Sequence, residues 1–566
     1  MVEQGSELSV LARFGIRDPA RAVRELPSGW VEDPRWSALL EFVGDRAPDP
    51  DVALRRLCGT PPDIVEAVLS DPDKAAPMVA VLGFSEYLSG LVSRLPGAAG
   101  VLLGGDGPRQ ETLRDLKDER LLQIAARDLS SAPDRDSLVR TGHELSDLAD
   151  DCLRAVIDQA GAEGMAVMAM GKLGGRELNY ASDIDVLFVH RTGGDEAEAA
   201  AKRVMEAMNG PPVIFRTDAD LRPEGRDGPL VRSLDAFAAY YRRWAQVWEF
   251  QSLIKCRFSA GDQSVGDDFL ELVRPFVWPE RLAPEAVEQV RALKSRAEAQ
   301  VHRAGLSGRQ VKLGRGGIRD VEFAVQLLQL VHGRHHPDLR VRNTLEALDV
   351  LGAEGFVAEQ DADDLADAYV FLRHTEHRLQ LISGRQTHTL PTQPARLEHV
   401  ARGLGLRDSA EGSALDEFDG RWRHTTSVVR RIHERLFYRP LLEAFARTPA
   451  IGPALGAEEA RDRLAALGFD RPQRAQDLIV SLTSGPSRST RVMRAILPGL
   501  LAWLSETPDP DAGLVRLRDL VSRLESLPHL LAMLRDEPPV AELACRAVGT
   551  GPVLASLMQR EPGLVA

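Results

Sequence analysis

Apolar and polar positions are most informative between residues 165 and 190. The stretch opens with the apolar run MAVMAM, which predicts a buried strand, and a polar turn with two adjacent glycines follows. A second apolar run, VLFV, begins just after Asp183 and Asp185. Because side chains two residues apart lie on one face of a strand, both carboxylates are expected on one face and Ile184 on the other. The pattern predicts two strands with paired carboxylates at the edge of the second.

A similar arrangement follows further along the chain. Residues 195–210 have the pattern of a helix with acidic residues in its first turn and Gly210 just past its end. The sequence VIFRTDADL, residues 213–221, then predicts another strand, in which Asp218 and Asp220 are again two residues apart. A second carboxylate pair is therefore expected on one strand face.

Helical periodicity dominates the rest of the chain. Residues 1–105 predict short helices broken by Pro and Gly. Longer helical patterns cover residues 109–160, 235–255, 283–304 and 339–440. Within the second of these, most of an aromatic stripe is expected to belong to the core: Tyr240, Tyr241, Trp244 and Trp248. His374 and His377, three residues apart without further ligands at matching spacing, are interpreted as satisfied helix residues rather than metal ligands.

Chain length and Pro/Gly-rich breaks predict several domains. A chain of 566 residues has material for three or four. The predicted divisions are an N-terminal helical region (1–105), a catalytic domain (106–270), a helical bundle domain (271–445) and a helical region after a Pro/Gly-rich passage (446–566).

Charge and cysteine usage exclude some classes of protein. The formal net charge of -14 argues against a protein that tracks nucleic acid. Four scattered cysteines lack the spacing of a metal site or a disulfide framework, which fits a reducing compartment. No apolar run approaches the ~18 residues of a membrane span, and the N-terminus lacks a signal-peptide pattern. We therefore expect a cytoplasmic protein without membrane or nucleic-acid partners.

Two glycine-rich turns are candidates for binding phosphate. Gly174 and Gly175 precede the first aspartate pair, and free backbone amides in such a turn would suit an anion. The alternative is a hairpin with a merely polar turn and solvated aspartates. Paired carboxylates next to a phosphate site are what magnesium-dependent nucleotide chemistry requires.

The second turn lies in KLGRGGIRDVEF. Here Lys312, Arg315 and Arg319 cluster around glycines immediately before a helix, and all three features favour an anion. The alternative is a basic turn that caps a core helix. Because guanidinium groups bind phosphate in bidentate fashion, the two arginines are expected to contribute more than the lysine.

These motifs together resemble a known family. GKLGGRELNYASDID is similar to the signature of the nucleotidyltransferase domains of the bifunctional glutamine synthetase adenylyltransferase/adenylyl-removing enzymes, within the wider DNA polymerase β class. The resemblance continues through residues 215–231, 240–258 and 311–330, in the family's order. It implies an α+β fold, with a polymerase β-like core and a small mixed sheet embedded in a predominantly helical multidomain chain.

The resemblance also implies site residues. Asp183, Asp185 and Asp218 would be catalytic and hold Mg²⁺. The residues implied for nucleotide or phosphate binding are Gly174, Gly175, Ser182, Arg222, Lys312, Arg315 and Arg319. The roles of five further polar residues stay open: Asp220, Glu249, Lys255, Asp320 and Glu322.

The implied activity is phosphorolytic removal of AMP from an adenylylated tyrosine of glutamine synthetase, releasing ADP. One module is present, and its motif order resembles the adenylyl-removing half followed by a regulatory region. Two alternatives stay open: adenylyl transfer from ATP to the same tyrosine, and a catalytically silent regulatory binding module. The implied partners are glutamine synthetase and the PII signal protein, with phosphate, ADP, ATP and glutamine as small ligands.

Overall fold

The computed structural model describes residues 2–71, 75–95, 97–104, 110–279, 308–410, 412–447, 468–484, 507–524 and 538–561, with a few further positions between 464 and 505 and at 534. The predicted helix at 283–304 and the Pro/Gly-rich passage after 447 lie outside these residues. The chain divides into two compact units, Met1–Arg430 and Arg431–Ala566. The finer division into four domains stays a prediction. In the described part of the chain, no helix is both long and apolar enough to cross a bilayer.

Short helices fill the first hundred residues, as predicted. Three of them start where an aspartate side chain accepts a hydrogen bond from a backbone amide of the first turn and a proline takes the first helical position, since that position has no hydrogen bond to lose. The helices are α1 (Val2–Arg13), α2 (Pro19–Glu25), α3 (Pro34–Arg46), α4 (Pro50–Cys58), α5 (Pro62–Ser70), α6 (Ala76–Phe84), α7 (Glu86–Arg94) and α8 (Ala98–Leu102).

Two long helices lead into the sheet. They are α9, Leu113–Ser130, and α10, Arg135–Ala160. A capping box between Asp134 and Ser137 starts α10, and Gly161 ends it in the left-handed conformation, with φ of 62°. The long helical pattern predicted from residue 109 onward is confirmed.

The sheet is small and mixed. Its strands are β1 (Met165–Ala169), β2 (Ile184–His190), β3 (Thr217–Asp218), β4 (Val231–Ser233) and β5 (Arg257–Gly261). Strand β1 is buried throughout and pairs antiparallel with β2 and β5. Strands β3 and β4 both pair parallel with β2. The expectation of an α+β fold with a small mixed sheet is confirmed.

The segments between the strands are mostly helical. They contain α11 (Gly171–Gly174), α12 (Asp195–Asn209), the 3-10 turn Gly225–Asp227, α13 (Leu234–Arg243), α14 (Val247–Leu253) and, after β5, α15 (Gln263–Val277). The single helix predicted at 235–255 is wrong: the Glu249 side chain accepts a hydrogen bond from the Gln246 amide and so starts a new helix there. Trp244, in the break, is 70% exposed and does not belong to the core.

The strand predicted at 213–221 is also shorter than expected. Only Thr217 and Asp218 form β3. The Asp220 amide donates a hydrogen bond of 2.7 Å to Asp218 Oδ1, and such a side-chain turn takes the backbone out of the sheet. Asp218 and Asp220 therefore do not lie together on one strand, and the expected second carboxylate pair is wrong.

Helices complete the first unit around a long buried one. They are α16 (Ile318–His332), the 3-10 turn Pro337–Leu339, α17 (Thr344–Ala353), α18 (Glu359–Ser383), α19 (Pro394–Gly403) and α20 (Ala414–Arg447), which runs past the end of the unit. Helix α18 packs against α7, α10, α16 and α17. Its residues 373–381 are all buried, although most of them are polar.

The second unit has a core of its own. Its helices include α21 (Pro472–Thr483), α22 (Pro510–Leu524), α23 (Pro538–Thr550) and α24 (Pro552–Arg560). The apolar face of α22, with Leu514, Leu517 and Leu520 fully buried at helical spacing, lies at the centre of that core.

Candidate functional site

The sheet brings two of the predicted aspartates together. Asp185 on β2 lies directly opposite Asp218 on β3 in a parallel pair of strands. The neighbouring Ile184 is fully buried, so the alternation predicted from the sequence is confirmed for this strand. The structure therefore places two carboxylates from separate parts of the chain at one sheet edge.

The electrostatics of Asp185 show which groups surround it. Burial, together with the negative charges of Asp218 and Asp183, raises the pKa of the Asp185 carboxyl to about 6. The positive charges of Lys172 and Lys312 oppose this effect. Three carboxylates and two ammonium groups thus act on one another here.

Asp183 lies just before β2 and has a cationic partner. Its Oδ1 is 2.7 Å from Arg216 Nε, and another nitrogen of the same guanidinium donates to the Ala181 carbonyl at 3.0 Å. In the described part of the chain, no three His, Cys, Asp or Glu side chains converge closely enough to hold a metal. Asp183 would have to exchange Arg216 for the ion.

The donor set nonetheless suits a hard cation. Two carboxylates at one sheet edge and a third just before β2 are oxygen ligands of the kind that Mg²⁺ prefers, and Asp185 has a raised pKa, so a cation would stabilise its charged form. Asp183, Asp185 and Asp218 fit a divalent ion, and their assignment as its ligands stays a prediction.

The first glycine turn packs closely against neighbouring backbone. It forms the helical turn α11, and the amides of Gly174 and Gly175 donate to the carbonyls of Met170 (2.9 Å) and Gly171 (3.1 Å). A Cβ on Gly174 would collide with the Lys255 carbonyl. The expectation of free amides at this turn is therefore wrong, because helical hydrogen bonds use them. A role of Gly174 and Gly175 in phosphate binding stays a prediction.

Gly171, one turn earlier, has a direct effect on the site. It adopts a φ of 52°, which favours glycine, and a Cβ there would overlap the Asp185 carboxylate. The absence of a side chain at Gly171 therefore leaves room for that carboxylate.

Lys172 is a site residue that the sequence analysis missed. Burial, together with the nearby charge of Lys312, lowers the pKa of its ammonium group to about 8. The carboxylates of Glu376 and Glu322 act in the opposite direction. Its position directly after Gly171 in GKLGG was the available signal, but a lysine beside glycines is common in surface turns.

The second glycine turn contributes Lys312. The charge of this lysine acts on both Asp185 and Lys172. Part of the predicted basic turn is therefore near Asp185. Arg315 is exposed to solvent, and the Arg319 guanidinium lies over the Phe323 ring, 4.9 Å from its centre. The phosphate-binding role assigned to these three basic residues stays a prediction, and the geometry favours the lysine.

The start of α16 uses several of its amides internally. Gly316 donates to the Asp320 carboxylate at 2.7 Å, Gly317 to the Gly314 carbonyl at 2.9 Å, and Arg319 to the Lys312 carbonyl at 3.0 Å. Asp320 therefore holds the turn, and these amides are not available to an anion. Gly316, with φ of 78°, packs closely against the backbone of Thr426 on α20.

The Arg222 side chain donates hydrogen bonds to the backbone of its own loop. Its guanidinium donates to the carbonyls of Gly228 (3.1 Å), Ala219 (2.9 Å) and Arg226 (3.3 Å). Asp220 forms an ion pair with Arg226 at 2.6 Å. These contacts favour a structural role for Arg222, and its phosphate role stays a prediction.

Ser182 is half-buried next to the aspartates, and its hydroxyl donates to the Asp183 carbonyl at 2.8 Å. This contact gives no information on nucleotide binding by Ser182, which stays a prediction.

Polar residues whose roles were open form buried pairs. Lys255 Nζ lies 2.7 Å from Glu177 Oε2 and 3.1 Å from the Thr344 hydroxyl. Glu249 accepts from the Tyr240 hydroxyl at 3.2 Å, and burial raises the pKa of its carboxyl. Lys255 therefore joins the segment after α11 to the start of α17, and Glu249 joins α14 to α13.

The two histidines of α18 have hydrogen-bond partners. His374 Nε2 donates to the Asp134 carbonyl at 2.9 Å, and His377 Nε2 donates to Asn179 Oδ1 at 3.2 Å. Within the described part of the chain, the Nδ1 atom of each ring is buried without a hydrogen-bond partner, 3.8 and 3.9 Å from the Asp128 carboxylate, so the two histidines are only partly satisfied.

Comparison with known proteins supports the resemblance. Residues 101–272 match the family described as "Glutamate-ammonia ligase adenylyltransferase", and residues 288–437 match "GlnD PII-uridylyltransferase". A "Bifunctional glutamine synthetase adenylyltransferase/adenylyl-removing enzyme" from Streptomyces avermitilis is 39% identical, with 100% of this chain and 60% of the relative aligned. The chain is homologous to these enzymes over its whole length.

Other bacteria have relatives of the same name. The Mycolicibacterium smegmatis protein is 38% identical, and the alignment covers 99% of this chain and 61% of the relative. The Nocardia farcinica protein is 37% identical, and the alignment covers 98% of this chain and 60% of the relative. The chain thus spans about 60% of the length of the curated relatives it matches. The first family match contains β1 to β5, and the second contains Lys312 and α18.

Proposed function

We propose that this chain is a nucleotidyltransferase that removes AMP from an adenylylated tyrosine of glutamine synthetase by phosphorolysis. The observation that carries the proposal is the register of Asp185 opposite Asp218, with Lys172 and Lys312 electrostatically coupled to Asp185. Nucleotidyl transfer requires two components: carboxylates that bind a divalent ion and cationic groups that bind phosphate oxygens.

The residues divide the work in this proposal. Asp183, Asp185 and Asp218 would hold Mg²⁺, which when bound supplies positive charge to the transferring phosphoryl oxygens. Lys172 and Lys312 offset the negative charge that orthophosphate meets near the carboxylates. Lys172, whose pKa is lowered to about 8 by burial and by the charge of Lys312, gains from binding an anion.

The direction of the reaction rests on resemblance. The form KLGRGGIRDVEF and its position after the single aspartate module are similar to the adenylyl-removing half of the family. In the alternative direction the same carboxylates would transfer AMP from ATP to the tyrosine. The relatives' name covers both activities.

The products formed distinguish removal of AMP from its transfer to the tyrosine. Adenylylated glutamine synthetase, this chain, Mg²⁺ and phosphate are mixed, and the tyrosine peptide is followed by mass spectrometry together with ADP release. We expect loss of the adenylyl group with ADP formed in equal amount. A parallel reaction with unmodified glutamine synthetase and ATP tests the reverse.

Controls make the result specific. Asp218→Asn should abolish turnover, whereas Asp227→Asn, an exposed carboxylate on the nearby 3-10 turn, should leave it unchanged. AMP transfer from ATP without phosphorolysis would assign the opposite direction. Absence of both reactions with folded protein would favour a regulatory binding module and overturn the proposal.

The proposed setting follows from the family. We infer that glutamine synthetase is the protein substrate in the cytoplasm, and that the PII signal protein and glutamine regulate the reaction. Phosphate, ADP and ATP would be its small ligands. The match of residues 288–437 to a PII-uridylyltransferase family supports a link to PII signalling.

A further inference from the structure

The segment 177–182 connects the glycine turn α11 to the aspartates, and one side of it lies on helix α18. Arg373 donates from one guanidinium nitrogen to the Glu177 carbonyl and to Asn179 Oδ1, both at 2.6 Å. The same helix therefore fixes the backbone and a side chain of this segment.

Two further turns of α18 continue the contact. Glu376 Oε2 accepts from Asn179 Nδ2 at 2.7 Å, and Gln380 Oε1 accepts from the Ala181 amide at 2.9 Å. Arg373, Glu376 and Gln380 are spaced three and four residues apart, so they form one stripe along the helix. They meet residues 177, 179 and 181, which are every second residue of the segment.

The three helix side chains are themselves held in place. Each is at most 1% exposed. Arg373 also donates to the Tyr369 hydroxyl at 2.7 Å, and Glu376 Oε1 lies 2.6 Å from His388 Nδ1. Arg373 Nε and Gln380 Nε2 are buried without a hydrogen-bond partner among the described residues, so the remaining hydrogen bonds of each side chain set its orientation.

The contact extends to the first aspartate. Gln380 holds the amide of Ala181, and Arg216 donates to the Ala181 carbonyl while pairing with Asp183. Ile184 then begins β2, and its amide donates to the Arg216 carbonyl at 2.8 Å. A displacement of Ala181 would therefore move Asp183 and the entry of the strand that carries Asp185.

We propose that Arg373, Glu376 and Gln380 are positioning residues that set the place of Asp183 and Asp185 through segment 177–182. The inference rests on the proposed function in one respect, namely that these aspartates bind the divalent ion. Helix α18 belongs to the part of the chain that matches the uridylyltransferase family, and the segment belongs to the adenylyltransferase match. The second region thus completes the site of the first.

The test replaces Gln380 by Leu in the full chain, which removes the acceptor for Ala181 and retains an apolar side chain of similar length. The matched control is Thr375→Val. Thr375 is equally buried on α18, but its hydroxyl donates only within its own helix, to the Phe371 carbonyl at 2.8 Å.

Mn²⁺ serves as the probe, and its binding is followed by electron paramagnetic resonance together with amide hydrogen exchange of residues 177–185. We expect Gln380→Leu to weaken Mn²⁺ binding about tenfold, the factor that one lost hydrogen bond represents, and to speed exchange in the segment. Thr375→Val should leave both unchanged, even where thermal unfolding shows a similar loss of stability in the two variants.

The outcomes separate this inference from the proposed function, because neither measurement requires turnover. Unaltered Mn²⁺ affinity in folded Gln380→Leu protein would overturn the inference, as would a wild-type chain that binds no Mn²⁺. Weakened binding in a protein without phosphorolysis would support the inference and overturn the function. If Gln380→Leu does not fold, Asn179→Ala, which removes the partner on the segment, is judged by the same criteria.

Discussion

Asp185 lies opposite Asp218 across the parallel pair β2–β3, so two carboxylates that are 33 positions apart in the chain share one sheet edge. Burial and the charges of Asp218 and Asp183 together raise the pKa of Asp185 to about 6. An arrangement that costs stability in the absence of a cation indicates a place where a cation binds. The first predictions follow from this relationship.

The stability of the metal-free chain should depend on Asp185 between about pH 4 and pH 6. Its folded-state pKa, about 6, is above the ordinary pKa of an aspartate, 3.8, so the folded state binds this proton more tightly. The associated stability is present below pH 4 and is lost as the pH rises through 6. The loss corresponds to at most about 3 kcal/mol of unfolding free energy.

Denaturant unfolding in chelator measures this effect. The stability of Asp185→Asn relative to wild type should increase from pH 4 to pH 7, because Asn carries no charge to bury. A difference that stays constant over this range would show that the Asp185 carboxyl is not perturbed. Asp227→Asn, an exposed carboxylate, serves as the control.

Metal-dependent turnover should require both aspartates of the SDID sequence. Asp183→Asn and Asp185→Asn should each weaken Mg²⁺ binding and lower turnover by roughly a hundredfold or more. Even loss of a residue that only hydrogen-bonds to a metal ligand lowers metal affinity or activity about 10- to 100-fold. Steady-state rates over a Mg²⁺ titration check this, with circular dichroism to confirm the fold. Near-normal rates in both variants would contradict the assignment.

A methyl group at Gly171 should disturb the carboxylate directly. Gly171→Ala places its Cβ against the Asp185 carboxylate, whereas Gly161→Ala has a similar φ of 62° with nothing within 4 Å. Both variants carry the cost of a left-handed alanine, about 1–2 kcal/mol. Only Gly171→Ala should also weaken Mn²⁺ binding, and equal Mn²⁺ affinities in the two would show that Gly171 matters for backbone conformation alone.

The phosphate requirement should depend on the two lysines. Because Lys172 and Lys312 are coupled to Asp185 while Arg315 is exposed, Lys172→Ala and Lys312→Ala should raise the phosphate concentration at half-maximal rate more than Arg315→Ala does. This order differs from the one that guanidinium chemistry alone predicts. A phosphate titration at saturating adenylylated substrate decides, and a larger effect of Arg315→Ala or Arg319→Ala would return the phosphate site to the arginines.

Removal of the chain after residue 447 should preserve basal turnover. The first compact unit ends at Arg430 and contains Thr426, against which Gly316 packs. The shortened chain should lose its response to the PII signal protein or glutamine while its rate without effectors stays within about twofold of the full chain. Loss of basal turnover in a folded shortened chain would show that the second unit contributes to the reaction.

Local pattern was sufficient for much of the site. The alternation around Ile184 identified β2 and the carboxylate pair, and the acidic first turn identified α12, because burial on one face leaves a period of two or of about 3.6 in the sequence. The same approach overextended β3 and missed the break at Trp244. Both errors arise where a single side chain, Asp218 or Glu249, accepts a hydrogen bond from a nearby backbone amide and changes its direction.

The sequence by itself indicated the α+β fold class, the order of the motifs and the Asp183/Asp185 pair, through residue types, periodicities within a few positions and the family resemblance. The metal role of the three aspartates, Asp218 among them, was implied by the resemblance and stays a prediction. Tertiary structure alone decided that Asp218 faces Asp185, that the charges of Lys172 and Lys312 act on Asp185, and that the polar stripe of α18 holds segment 177–182. The physical reason is that periodicity records whether a side chain is buried but not against which partner. Buried polar residues such as Arg373 and Glu376 obtain their partners from nearly 200 residues away, at a distance that no local pattern encodes.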